Sequence, residues 1–181
     1  EAADVVVYCV HGHEVSQAVA KASGARYLQG GIEAWKGARQ AKPKGAATRW
    51  VTRERPKIDR IACPWLIRRF IDPAAEFLYV PTPDVRKTAA EREAVPYDIP
   101  DLHFSHEGER CSFDAFLRHY RLESDPALRE LAVIVRGADT NRLHLAPQAA
   151  GLAAISLGLS RNFSSDVEML EHGMVMYDAL Y

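Results

Sequence analysis

Past residue 48 the chain reads mostly as helix. Residues 58–71, 113–121, 126–135, 149–157 and 166–180 read as helices, and only residues 49–52, 76–80 and 102–105 as strands. Two or three short strands cannot close a sandwich or a barrel. The expected fold is therefore α+β, with a predominantly helical main domain whose few strands pack against four or five helices. In the first of these helices Ile58, Ile61, Trp65 and Phe70 fall roughly on one side, and Pro64 must sit in the first turn or kink it.

The first forty residues follow a different grammar. Residues 4–9 (DVVVYC) read as a buried parallel strand, 14–21 as a helix, 25–28 as a short strand, and 32–36 as a helical turn beyond Gly30 and Gly31. Alternation of this kind is that of a parallel α/β sheet. The stretch 37–47 (GARQAKPKGAA) is small, basic and aperiodic, which reads as a linker. The expected division is a partial α/β segment over 1–40, a linker over 41–47 and the main domain over 48–181. A strand at residue 4 needs neighbours, so further chain upstream is expected. The truncated sheet edge would also invite pairing with another copy, a homo-oligomer.

Composition narrows the function. With 48% hydrophobic residues in 181, the chain can bury one good core and a small second one. A formal charge of -1 gives no overall drive toward nucleic acid. The three cysteines, Cys9, Cys63 and Cys111, contain no close CxxC pair, which points to a reducing compartment rather than a disulfide scaffold. No apolar run approaches the length of a bilayer span and no leader pattern opens the sequence, so a cytoplasmic protein is expected.

Several segments carry residues suited to chemistry. Cys9 closes a predicted strand, and CVHGHEVSQ turns into a helix whose first N–H groups would favour a thiolate or cradle an anion. Between Arg53 and Arg69 six basic residues face two acidic ones, and Arg53, Lys57, Arg60 and Arg68 are the candidates for holding an oxyanion. A solvated charged face is the plainer reading of that run. His103, His106 and Cys111 follow one another before a helix start, Asp139 sits at a helix end, and Glu168 and His172 lie one helical turn apart. His106, Cys111, Asp139 and His172 form the candidate metal set, suited to zinc, iron or manganese, with core hydrogen bonding as the alternative.

Two resemblances organise these segments. DVVVYC, the Cys9 loop and YLQGGIEAWKGA resemble the second half of a rhodanese-like domain, which implies a persulfide-forming cysteine and a sulfurtransferase or thiol-redox activity; Val10 and Glu14 stand where Arg or Lys is usual. DRIACPWLIRRFIDP, YDIPD, FSHEGERCSFD, IVRGADT and YDALY, in that order from about Trp50 to the last residue, resemble the C-terminal domain of the ChrB-type chromate-resistance family. That resemblance implies a stress-response protein of chromate resistance, binding an oxyanion or a metal ion in the helical domain. Enzymatic sulfur chemistry at Cys9 and a non-catalytic regulatory sensor are the alternatives.

Overall fold

The computed structural model describes residues 6–9, 14–29, 32 and 48–181. The chain divides into two compact units, Glu1–Lys44 and Gly45–Tyr181.

In the first unit β1 (Val6–Val7) pairs in parallel with β2 (Arg26–Tyr27), and α1 (Glu14–Ser23) is the crossover that parallel pairing requires. Gly24, at φ 68°, ends α1 in the left-handed conformation that a side chain would resist. Ser16 and Ala20, one turn apart, form the buried face of α1. The strand expected to be buried is open: Val6 is 45% exposed and Tyr8 62%. Among the described residues α1 is the one helix packed on β1, so the alternate side chains on the other face stand open. Val10, His11, His13, Gly30, Gly31, the helical turn beyond Ile32, Trp35 and the linker lie outside the described residues.

The second unit is mainly helical. Its three-stranded parallel sheet, in the order β4-β3-β5, consists of β3 (Arg49–Arg53), β4 (Glu76–Val80) and β5 (Val95–Pro96). Two crossovers join these strands: α2 (Asp59–Leu66), extended by a π-helical turn over Ile67–Ile71, and α3 (Val85–Arg92). Four helices follow: α4 (Ser112–His119), α5 (Pro126–Asp139), α6 (Ala149–Asn162) and α7 (Asp166–Leu180). The central strand β3 is buried on both faces. Trp50 enters the main core with Trp65, Phe113 and Phe116, while its neighbour Val51 points the other way, into a smaller cluster with Val85, Ala94 and Ile99.

Three local features differ from the sequence reading. Residues 102–105 are an irregular turn rather than a strand, because the Phe104 ring enters the core and its carbonyl accepts a hydrogen bond from the Asp98 N–H at 2.7 Å. The third strand is Val95–Pro96, where an edge position tolerates a proline. Helix α3 (VRKTAAER) went unread because Val85 is its one buried residue, so no apolar stripe marks it.

Pro64 sits deep in α2 rather than in its first turn. Having no N–H, it leaves the Arg60 carbonyl without its helical donor. The hydroxyls of Tyr79 and Tyr97 approach that oxygen instead, each at 3.5 Å. The entry to α2 is strained. Ile58, a β-branched residue, sits at φ 41°, where such side chains are rare. The last two helices hold it there: Ser156 accepts its N–H at 2.9 Å and the Tyr177 hydroxyl donates to its carbonyl at 2.8 Å. Helix α7 also runs close over α2, since a Cβ on Gly173 would fall 2.4 Å from Ile61 Cγ2.

Candidate metal centre

The carboxyl ends of β3 and β5 open toward the start of α2, the position where parallel sheets gather ligands. Asp59 is the first residue of α2 and Asp98 follows β5 by two positions. Asp139 ends α5, Cys111 caps α4, and His106 lies on the loop leading into α4. Packing of these elements brings the five together from across eighty residues of sequence.

His106 Nε2 faces three carboxylates at once. It lies 3.1 Å from Asp139 Oδ2, 3.3 Å from Asp59 Oδ2 and 3.4 Å from Asp98 Oδ1. The side chains of Asp59, Asp98 and Asp139 are 2%, 4% and 13% exposed, that of His106 41%. The imidazole is thus a lid over an acidic floor. Asp59, Cys111 and Asp139 form a second set whose ligand atoms all lie within 4.8 Å of one another, and Asp59 belongs to both sets.

Burial pushes Asp59 up to about 7, against a hydrogen bond from His106 that favours its charged form, and the charges of Asp98 and Asp139 add to the rise. Hydrogen bonds to Asp139, Asp59 and Asp98 push His106 up to about 12. Burial also raises Asp98, but His106, Arg53 and Arg60 more than offset it and hold this carboxyl below its usual range. Burial raises the Cys111 thiol, and the carboxylate of Asp59 raises it further.

A second layer orients the acids. Arg53 Nη2 and Arg60 Nε both bind Asp98 Oδ2, at 2.5 and 3.2 Å. Ser112 donates its hydroxyl to Asp98 Oδ1 at 3.0 Å and its N–H to Asp59 Oδ2 at 3.3 Å. The start of α4 is fixed in turn by Asp114, which accepts the Cys111 N–H at 3.0 Å and is clamped by both arms of Arg136. Carboxylates held in this way have little freedom to reorient.

The sequence profile described as "ChrB, C-terminal domain" matches residues 50–181, nearly the whole second unit. The chain belongs to the ChrB C-terminal domain family. A curated relative, Protein ChrB of Cupriavidus metallidurans, is 35% identical over 132 residues, which cover 73% of this chain and 39% of that protein. The chain thus spans about two-fifths of the relative's length. No solved structure matches the chain.

Every residue of the acidic cluster lies inside the ChrB-type match, whereas Cys9 lies before it. Of the candidate metal ligands, the structure brings His106, Cys111 and Asp139 together. His172 joins neither set; it is exposed on α7 and its ring stacks on Phe163 at 4.4 Å. Of the basic candidates, Arg53 and Arg60 converge, but on Asp98. Arg68 pairs instead with Glu171 at 2.7 Å and lies 5.1 Å from the centre of the Phe77 ring, and Lys57 is exposed. Cys9 is half-buried, its Sγ 3.3 Å from the hydroxyl of Ser16 on α1.

Asp59 and Asp98 were missed by sequence reasoning. Both sit in the family segments DRIACPW and YDIPD, yet an aspartate opening a helix or placed in a turn has an ordinary structural role. Asp98 carries one further mark, a φ of 53°.

Proposed function

We propose that this ChrB-type domain binds a divalent transition-metal ion through His106, Asp59, Asp98 and Asp139, with Cys111 at the margin, and serves chromate or metal stress response through that site. The observation that carries the reading is one imidazole nitrogen, of the partly exposed His106, set over two buried carboxylates and a third that is 13% exposed. Acids gathered in one pocket oppose folding, and a metal cation would take over the offsetting charge that protonated His106 supplies in its absence. The spacing also suits an ion. With metal–ligand bonds of about 2.1 Å, separations of 3.1 to 3.4 Å between Nε2 and the oxygens correspond to ligand–metal–ligand angles of about 95–108°, between octahedral and tetrahedral.

Imidazole with carboxylates suits zinc, iron or manganese, and a thiol nearby favours the first two. The link to chromate comes from the family. An oxyanion would enter such a site as an added ligand of the metal, because Arg53 and Arg60 are already engaged by Asp98. Elemental analysis of the protein loaded with Zn(II), Mn(II) or Fe(II) and then desalted tests the proposal. About one ion per chain is expected, lost in His106→Ala and in Asp59→Asn. A wild-type protein that retains none of the three ions overturns it.

A further inference from the structure

A second pair of ligand-type side chains lies outside this cluster. His103 Nε2 and His119 Nδ1 face each other at 2.8 Å, one on the loop before α4 and the other at the last residue of α4. Both residues are exposed. The rings are nonetheless held. Each packs edge-on against Phe104, with centroids 4.7 and 5.0 Å away, and His119 also meets the edge of Tyr120 at 4.7 Å. Phe104 is itself buried and stacked on Phe116 at 4.2 Å, so the platform beneath both imidazoles is part of the core. Two imidazoles set side by side on one buried shelf are already close together, so less freedom is lost on chelation than for two unrestrained side chains.

We propose that His103 and His119 form a surface chelate for a divalent ion of tetragonal preference, the class of Ni(II) and Cu(II). Two nitrogens 2.8 Å apart, each about 2.0–2.1 Å from a metal, subtend about 86° at the ion. That is the cis angle of a square-planar or octahedral centre, well short of the tetrahedral angle a structural zinc prefers. Without metal the two nitrogens share one proton in a hydrogen bond. Binding requires the ring that donates to change tautomer, its proton moving to its other nitrogen with no net loss of a proton, and both exposed rings to turn so that their lone pairs meet at the ion. Water fills the remaining positions, so the site is open and exchangeable.

Ni(II) is the probe of choice, because Cu(II) would oxidise the thiols. Titration calorimetry with Ni(II) on the full chain carrying His106→Ala, which disables the acidic centre, isolates this site from the one proposed above. Adding His119→Ala is expected to remove one Ni(II) per chain. His103→Gln, on the loop instead of the helix, should remove the same ion with the far-ultraviolet circular dichroism unchanged. Ni(II) binding that survives either substitution at full stoichiometry overturns the inference, whatever the outcome at the acidic centre.

Discussion

Asp59→Asn should stabilise the metal-free protein while removing its metal. The substitution keeps the shape of the side chain, and the asparagine oxygen can still accept the Ser112 N–H that Asp59 Oδ2 accepts at 3.3 Å. What changes is the charge. In the unfolded chain this carboxyl loses its proton near 3.8, whereas in the folded protein burial keeps it protonated up to about 7. Between those values the native state binds more protons, so the carboxyl's contribution to stability falls as pH rises and is fully lost above about 7. A shift of about 3 units at 1.36 kcal/mol each sets an upper bound of about 4 kcal/mol at pH 8. His106 loses one of its three acidic partners in the variant, which brings the expected net gain to about 2 kcal/mol, or roughly 4–8 °C in Tm for a chain of this size. Thermal unfolding in chelator at pH 8 and near pH 4 reads the effect: the advantage should be present at pH 8 and nearly gone at pH 4. With metal at a hundredfold excess over Kd the wild type gains about 2.7 kcal/mol and the order reverses. A variant less stable than wild type by the same amount at both pH values would refute the reasoning and make Asp59 a structural acceptor.

Other consequences follow from the same geometry. Metal binding should release at least one proton per ion at pH 7, because His106 is held protonated up to about 12 and only neutral imidazole is a ligand; calorimetry in buffers of different ionisation heat measures it. Arg136→Ala leaves the Asp114 carboxylate, 8% exposed, without its clamp and should cost about 2–3 kcal/mol in urea unfolding, below the usual loss for a broken buried pair since Arg136 is itself 26% exposed. Arg142→Ala, whose partner Glu109 is 85% exposed, should cost less than about 1 kcal/mol by that same measurement. Gly173→Ala forces a methyl to within 2.4 Å of Ile61 Cγ2 and should cost about 1–3 kcal/mol, read as a lower urea midpoint. In the Co(II)-loaded protein, Cys111→Ser should abolish any sulfur-to-cobalt charge-transfer absorption and leave the ion bound by His106 and the acids.

What the sequence disclosed and what it withheld divide along physical lines. Strand β4 and helix α7 are legible to the residue because EFLYV is rich in strand formers and α7 opens at Ser165, whose hydroxyl accepts the Glu168 N–H. Helix α3 is silent because its stability comes from propensity rather than from a buried face. At the site, His106, Cys111 and Asp139 stand out as ligand types beside helix ends. His172 looked equivalent, one turn from Glu168, but that spacing names a face without saying which way it turns, and both residues are exposed. Asp59 and Asp98 join His106, Cys111 and Asp139 only when α2, α4 and α5 pack together.

That packing is costly in the same place. Ile58 and Asp98 hold backbone conformations with φ of 41° and 53°, and Asp59 holds a proton that water would have taken. Strain of this kind persists only where surrounding structure over-determines it. Here the determinants can be named. Ser156 and Tyr177 fix Ile58, Arg53 and Arg60 fix Asp98, and Ser112 ties Asp98 to Asp59. A core selected for stability alone would fill this space with apolar side chains, as the fold does in its main core with Trp65, Phe113 and Leu66. Polar residues that oppose folding are here held by at least five others, with the charges of His106, Arg53 and Arg60 set against those of the acids.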